Sequence, residues 1–187
     1  QASFGNQPID IRIGAATEIY FPSLLNITTD AEITTLFGLH VGLPTVVNFY
    51  FVDTISACGS TVSQSIVGCG ETPGNDFVVE SSFADSAFGG ELLAHELGHN
   101  LGLGHLNGSF LMNPSLNNRT AITNAQVNRI RLSPLVQTDG QSFWVDINPV
   151  LITDVIRQIP VPEPSNIALF LLALVVMSRV KSKRANG

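Results

Sequence analysis

Hydrophobic and polar positions in the first 80 residues predict several β-strands. Ile9–Ile13 alternates apolar and polar side chains, as a half-buried strand does. Val46–Val52 is β-branched and aromatic almost throughout, which predicts a central strand. A Pro-Gly-Asn turn at 73–75 precedes another apolar segment, Asp76–Glu80, which predicts a further strand.

Three helices are also predicted. The first begins with a capping box at 29–32 and continues to about Leu39. The second spans 88–101, where leucines form an apolar stripe, and Gly102 ends it. The third begins near Thr123 and stops before a proline.

The remaining pattern is weaker. Residues 135–160 are mixed in character and contain one possible strand at 142–147. Because strands come first and helices follow, we expect an α+β fold in which helices pack against a mixed sheet.

Charge is distributed unevenly along the chain. The net charge is −6, yet four of the nine basic residues lie after position 178. Residues 1–178 therefore carry five arginines against fifteen acidic residues. A body this acidic repels phosphate backbones, so we expect no nucleic-acid partner.

The two cysteines, Cys58 and Cys69, lie in a stretch rich in glycine, serine and threonine. A disulfide between them would indicate an oxidising compartment outside the cytoplasm. Two unpaired thiols are the alternative. A metal-binding pair is disfavoured because neither cysteine has the Cys-x-x-Cys spacing.

The densest chemical signal is a run of eleven residues that holds three of the four histidines: His95-Glu96-Leu97-Gly98-His99-Asn100-Leu101-Gly102-Leu103-Gly104-His105. On a helix, His95 and His99 lie on one face and can direct two imidazoles at one point. Gly102 can adopt a positive φ and turn the chain back, which brings His105 to the same point. Ordinary helix residues are the alternative. The fourth histidine, His40, is expected to be a solvated loop residue.

Three histidines and one exchangeable position are typical of a catalytic zinc site. Glu96 lies beside the first histidine, where its carboxylate can reach a water on the metal and act as general base. We therefore expect hydrolysis of a peptide or amide bond, with Zn²⁺ as cofactor. A surface or matrix protein whose zinc site is structural or inactive is one alternative, and a hydrolase of non-peptide amides is another.

The extended histidine motif resembles that of the metzincin clan of zinc metallopeptidases. By this resemblance, Met112 in Ser109-Phe110-Leu111-Met112-Asn113-Pro114 forms a hydrophobic base under the imidazoles, although it fits an ordinary core residue as well. The resemblance also implies that 76–82 is the edge strand that pairs with a peptide substrate. The wall of the specificity pocket is expected at 113–118.

The resemblance covers residues 9–137, so 1–137 is expected to form a zinc endopeptidase domain. Members of the clan begin with a strand and a long helix before the segment that corresponds to Ile9–Ile13. Only eight residues precede that segment here, and the domain is expected to be truncated at its N-terminus. Residues 138–160 are expected to be a spacer.

The end of the chain, 161–187, has a Pro-Glu-Pro motif, an apolar run at 167–177 and a basic cluster. This order closely resembles the PEP-CTERM sorting signal of Gram-negative bacteria. It implies export, a transient inner-membrane anchor formed by a hydrophobic helix at 167–180, and removal of the tail by an exosortase. Eleven apolar residues span only about 16 Å as a helix, too short for a permanent anchor in a hydrocarbon core of about 30 Å.

Overall fold

A mixed seven-stranded sheet organises the chain, with helices packed on both of its faces. The computed structural model describes residues 8–116 and 118–155. The elements, in chain order, are β1 (Ile9–Ile13), β2 (Thr17–Tyr20), β3 (Asn26–Ile27), α1 (Asp30–Phe37), β4 (Val46–Val52), β5 (Thr54–Ile55), β6 (Ala57–Cys58), β7 (Thr61–Val62), β8 (Gly68–Gly70), β9 (Asp76–Glu80), α2 (Ser81–Ala84), α3 (Gly89–Asn100), α4 (Asn124–Arg131), β10 (Gln137–Thr138) and β11 (Phe143–Thr153).

The main sheet has the strand order β1-β11-β4-β9-β8, and β2 and β10 also pair with β11. The pairings of β11 with β1, β2 and β4 are parallel, as is that of β4 with β9. The short strand β8 pairs antiparallel with β9 at one edge. Together with the few helices, this mixed sheet confirms the predicted α+β class.

Each face of the sheet has its own core. Because side chains alternate along β4, Tyr50 and Val52 pack with α1, whereas Val47 and Phe49 pack with Leu92 of α3. Helix α3 lies across β8 and β9, so its inner face is held directly over that edge of the sheet. Elements β8, β9 and α3 therefore form the frame on which the candidate site is built.

Local sequence signals determine the helix starts. Thr29 Oγ1 accepts a hydrogen bond from the Glu32 N–H at 3.3 Å, and Glu32 Oε2 accepts one from the Thr29 N–H at 2.9 Å. The same reciprocal pair joins Thr123 and Gln126 at the start of α4. The first of these capping boxes was predicted, and so were the strands Ile9–Ile13, Val46–Val52 and Asp76–Glu80.

The expected spacer at 138–160 is wrong for 143–153, which form strand β11 in the middle of the sheet. The sheet-containing unit extends to Asp154, well beyond the predicted boundary at 137. Val145 and Ile147 are buried on the α3 face, whereas Val150 and Ile152 are buried on the opposite face. Because the buried face changes midway, near Pro149, the whole strand shows no single alternating pattern.

The expected substrate-pairing edge strand at 76–82 is also wrong. Strand β9 lies inside the sheet between β4 and β8, and residues 81–82 already belong to α2. The edge strand is β8, which is only three residues long and contains two glycines. Such a segment has no strand-forming pattern in the sequence.

Candidate metal centre

Helix α3 ends with a backbone motif that turns the chain back toward the helix. Gly102 has φ +87°, and its N–H donates to the His99 carbonyl at 2.8 Å. The N–H of Leu103 donates to the Gly98 carbonyl at 2.9 Å, which completes a Schellman motif. The predicted role of Gly102 as the helix stop is confirmed, and the turn directs His105 back beside the helix.

The three predicted ligands meet at one point. His105 Nε2 lies 3.3 Å from His95 Nε2 and 3.2 Å from His99 Nε2. Two nitrogens bound at about 2.0–2.1 Å to a tetrahedral zinc ion lie about 3.3 Å apart, which matches these distances. His95, His99 and His105 can thus hold a metal ion between them.

Backbone carbonyls fix the tautomers of two of these rings. The Nδ1 atoms of His95 and His99 lie 2.8 Å from the carbonyl oxygens of Leu111 and Leu103. A carbonyl only accepts, so each Nδ1 carries the hydrogen and each Nε2 keeps its lone pair for a ligand. Burial lowers the pKa of both imidazoles, that of His99 to about 4. Lone pairs facing one another at this range are stabilised by a cation between them, so the donor set fits a metal.

Glu96 is buried beneath strand β8, with 5% of its surface exposed. Its carboxylate accepts no hydrogen bond from any residue in the described part of the chain, and burial raises its pKa to about 8. The side chain borders two cavities, each of about 370 Å³, and each cavity is also lined by two of the three histidines. A carboxylate placed in this way can bind and deprotonate a small molecule such as water.

The two cavities share part of their lining, and we refer to them together as the cleft. Cys58, Gly68, Glu96 and His105 border both of them. The first cavity also has a hydroxyl-bearing wall and an apolar wall, made by Thr61, Ser63, Ser65, Leu92, Pro114 and Leu116. Pro114 and Leu116 lie where the specificity wall was predicted.

Met112 is fully buried and supports the helix that carries two of the histidines. A methyl group at Gly98 would lie 2.5 Å from the Met112 sulfur, so the thioether packs directly on α3 at Gly98. This residue lies between His95 and His99 in the sequence. The Met112 carbonyl accepts the Leu106 N–H at 2.8 Å, and the preceding carbonyl, of Leu111, holds His95. The methionine segment therefore joins α3 to the loop that carries His105.

The predicted disulfide between Cys58 and Cys69 is present. It links the hairpin β6–β7 to the edge strand β8, and Cys58 lies on the cleft while Cys69 is buried in the α1 core. Sequence reasoning connected these cysteines with the redox compartment but not with the cleft. The available signal was the position of Cys69 between the two glycines of β8.

His40 lies in a loop, as predicted, but its side chain is partly buried rather than solvated. Its Nδ1 lies 3.0 Å from Oδ1 of the buried Asp76, and its Nε2 lies 3.2 Å from the Leu43 carbonyl. Burial raises the pKa of Asp76, and the contact with His40 opposes that rise. The fourth histidine thus serves the fold rather than the metal centre.

Two further findings concern membrane-spanning helices and similarity to known proteins. Within 8–116 and 118–155, no helix is both long enough and apolar enough to cross a membrane. The predicted sorting segment, 161–187, lies outside the described residues. Comparisons with protein-family models, with curated proteins and with solved structures found no match to this chain.

Proposed function

We propose that the chain is an exported zinc endopeptidase. The observation that carries this proposal is the convergence of three Nε2 atoms beside a buried, unpaired carboxylate in an open cleft. A purely structural metal site has no use for Glu96 as a base. Such sites are also closed by four protein ligands. His95, His99 and His105 supply only three.

The chain's own residues divide the chemistry between them. The three histidines would hold the ion, and Leu103 and Leu111 would keep two of the rings in the metal-binding tautomer. Zinc bound there would supply a Lewis acid that polarises a carbonyl oxygen and acidifies water. Glu96 accepts the proton of the attacking water and then passes it to the nitrogen of the departing amine.

Strand β8 supports a peptide as the substrate. The Glu80 N–H donates to the Val67 carbonyl, and the Glu71 N–H donates to the Asp76 carbonyl. Every second residue of this edge therefore forms its backbone hydrogen bonds with the β9 segment. Gly68 and Gly70 are the intervening residues, so their N–H and carbonyl groups point away from β9, toward the open edge of the sheet. An extended peptide can pair with these groups, and its side chains then enter the two cavities.

A peptide-library experiment tests the proposal. The full chain is loaded with zinc, its metal content is measured, and cleavage of a mixed peptide library is followed by mass spectrometry. We expect cleavage at internal bonds, its loss on chelation, and its return when zinc is restored. A Glu96→Gln variant should bind zinc and cleave nothing, while the exposed control Asp53→Asn should cleave normally. Zinc binding without cleavage by the wild-type chain would favour the inactive-site alternative.

Export rests on separate support. The disulfide is typical of an oxidising compartment, and the tail composition resembles that of a sorting signal. In a Gram-negative host with an exosortase, we expect the exported protein to lack the residues after the Pro-Glu-Pro motif at 162–164. Intact-mass measurement of the surface fraction checks this, and an uncleaved chain at the surface would contradict it.

A further inference from the structure

Strand β8 lies directly on the carboxylate of Glu96, with no side chain between them. A methyl group at Gly68 would lie 2.8 Å from the Glu96 carboxyl carbon and closer still to Oε1. A methyl group at Gly70 would lie 3.2 Å from Oε2 and 3.3 Å from the Glu96 carbonyl oxygen. Each glycine therefore faces a different oxygen of the same carboxylate.

The backbone conformation does not require glycine at either position. Neither Gly68 nor Gly70 is among the positive-φ residues of the described chain. Glycine inside a strand weakens it, because it has no side chain to pack and loses more freedom on folding. Glycine is therefore required at these two positions because it has no side chain. Glu96 occupies the space that a side chain would fill.

Neighbouring contacts prevent β8 from moving away from the carboxylate. Cys69, between the two glycines, is buried in the core on the opposite face and bonded to Cys58. Strand β8 also pairs with β9 at Gly68–Val79, Cys69–Val78 and Gly70–Phe77. A side chain added at Gly68 would thus displace the Glu96 carboxylate rather than the strand, and one added at Gly70 would crowd it.

We propose that Gly68 and Gly70 are positioning residues that hold the Glu96 carboxylate in a slot between β8 and α3. This inference rests on the proposed function for its catalytic meaning. The slot restricts the carboxylate to the junction of the two cavities. It also sets the distance from Glu96 to any peptide paired with the outer edge of the same strand.

A kinetic comparison tests the positioning role. Gly68→Ala keeps the backbone groups that would pair with a peptide, so KM should stay within about twofold while kcat falls by about 10- to 100-fold. Zinc content should be unchanged, since no histidine is touched. Gly90→Ala is the matched control, because a methyl group at this exposed position in α3 meets nothing within 4 Å. An unchanged kcat in Gly68→Ala would overturn the proposal.

A stability comparison tests the same contact without using activity. Gly68→Ala should lower Tm by about 3–8 °C when Glu96 is present. In a Glu96→Ala background the same substitution should lower Tm by less than half as much, because the carboxylate no longer occupies the space. The other close atom, a terminal methyl of Leu92, is at the end of a flexible side chain. Equal losses in both backgrounds would overturn the slot even if the wild-type chain cleaves peptides, whereas coupled losses in a chain without activity would refute only the proposed function.

Discussion

At the scale of single residues, the hydrogen-bond partner of each histidine determines what that histidine can bind. His95 and His99 can each offer Nε2 to a metal ion because the carbonyls of Leu111 and Leu103 hold their Nδ1 hydrogens. His40 has the same side chain and a different task, since its partner is a buried carboxylate. The histidine spacing predicted from sequence which three histidines converge, whereas the contact of His40 depends on a partner 36 residues away.

Replacing one ligand histidine should abolish tight metal binding. We expect His105→Ala to retain much less than one zinc ion per chain, because only two of the three histidine ligands remain. The matched control His40→Ala removes a histidine that lies outside the centre and should retain about one zinc ion per chain. Metal analysis after dialysis measures both, and equal zinc retention by the two variants would contradict the assignment.

Removing His40 should instead destabilise the fold. His40→Ala leaves the buried Asp76 carboxylate without the imidazole that contacts it, which should cost about 2 kcal/mol in the free energy of unfolding at neutral pH. Burial places the pKa of Asp76 above its ordinary value, and removing His40 raises it further, so the folded state takes up a proton more readily as pH falls. The loss should therefore shrink toward acidic pH.

Denaturant unfolding at several pH values checks this expectation. Adding Asp76→Asn to His40→Ala should recover part of the loss, because no buried charge then remains. A loss that is independent of pH and of Asp76 would show that the contact between His40 and Asp76 is not its cause.

At the scale of elements, the end of helix α3 positions the third ligand. The Schellman motif at Gly102 turns the chain so that His105 returns to the helix after only two intervening residues. Sequence reasoning found this turn because glycine after a helical pattern is a local signal. It missed β8 as the edge strand because three residues with two glycines have no local pattern. It found only the first part of β11 because the buried face changes within that strand.

Gly102→Ala should weaken both the turn and the metal centre. The residue has φ +87°, and a methyl group there would lie 2.9 Å from Nε of Arg129, so the variant is strained by about 1–2 kcal/mol. Relief of that strain would move His105 and reduce the affinity for zinc. Gly104→Ala is the control for stability, since a methyl group at Gly104 meets nothing within 4 Å and its φ is not positive. Competition titrations and thermal unfolding measure the two effects, and unchanged affinity in Gly102→Ala would refute the role of the turn.

Considered as a whole molecule, the fold depends on a strand from late in the sequence. Strand β11 joins β1, β2 and β10 to β4, so the sheet is continuous only when residues 143–153 are present. Its apolar side chains contribute to the cores on both faces. Such a long-range pairing cannot be read from local periodicity, because nothing near β11 in the chain specifies β1 and β4 as its neighbours.

A chain that ends after residue 137 should therefore fail to fold. Without β11, strand β1 has no sheet partner among the described residues and the inner edge of β4 is uncovered. We expect no cooperative thermal transition for this chain, whereas one that ends after residue 155 should unfold cooperatively near the temperature of the full chain. Circular dichroism on heating distinguishes them. A cooperative transition for the shorter chain would contradict the central place of β11.

The most direct test of the central claim compares peptide cleavage by the wild-type chain and by Glu96→Gln at equal, measured zinc content. Glutamine keeps the size of the side chain and its place beneath β8 but cannot accept the proton of the attacking water. We expect cleavage by the wild-type chain and a loss of at least about 100-fold in kcat for the variant, with zinc affinity retained. Cleavage at the wild-type rate by Glu96→Gln would contradict this expectation.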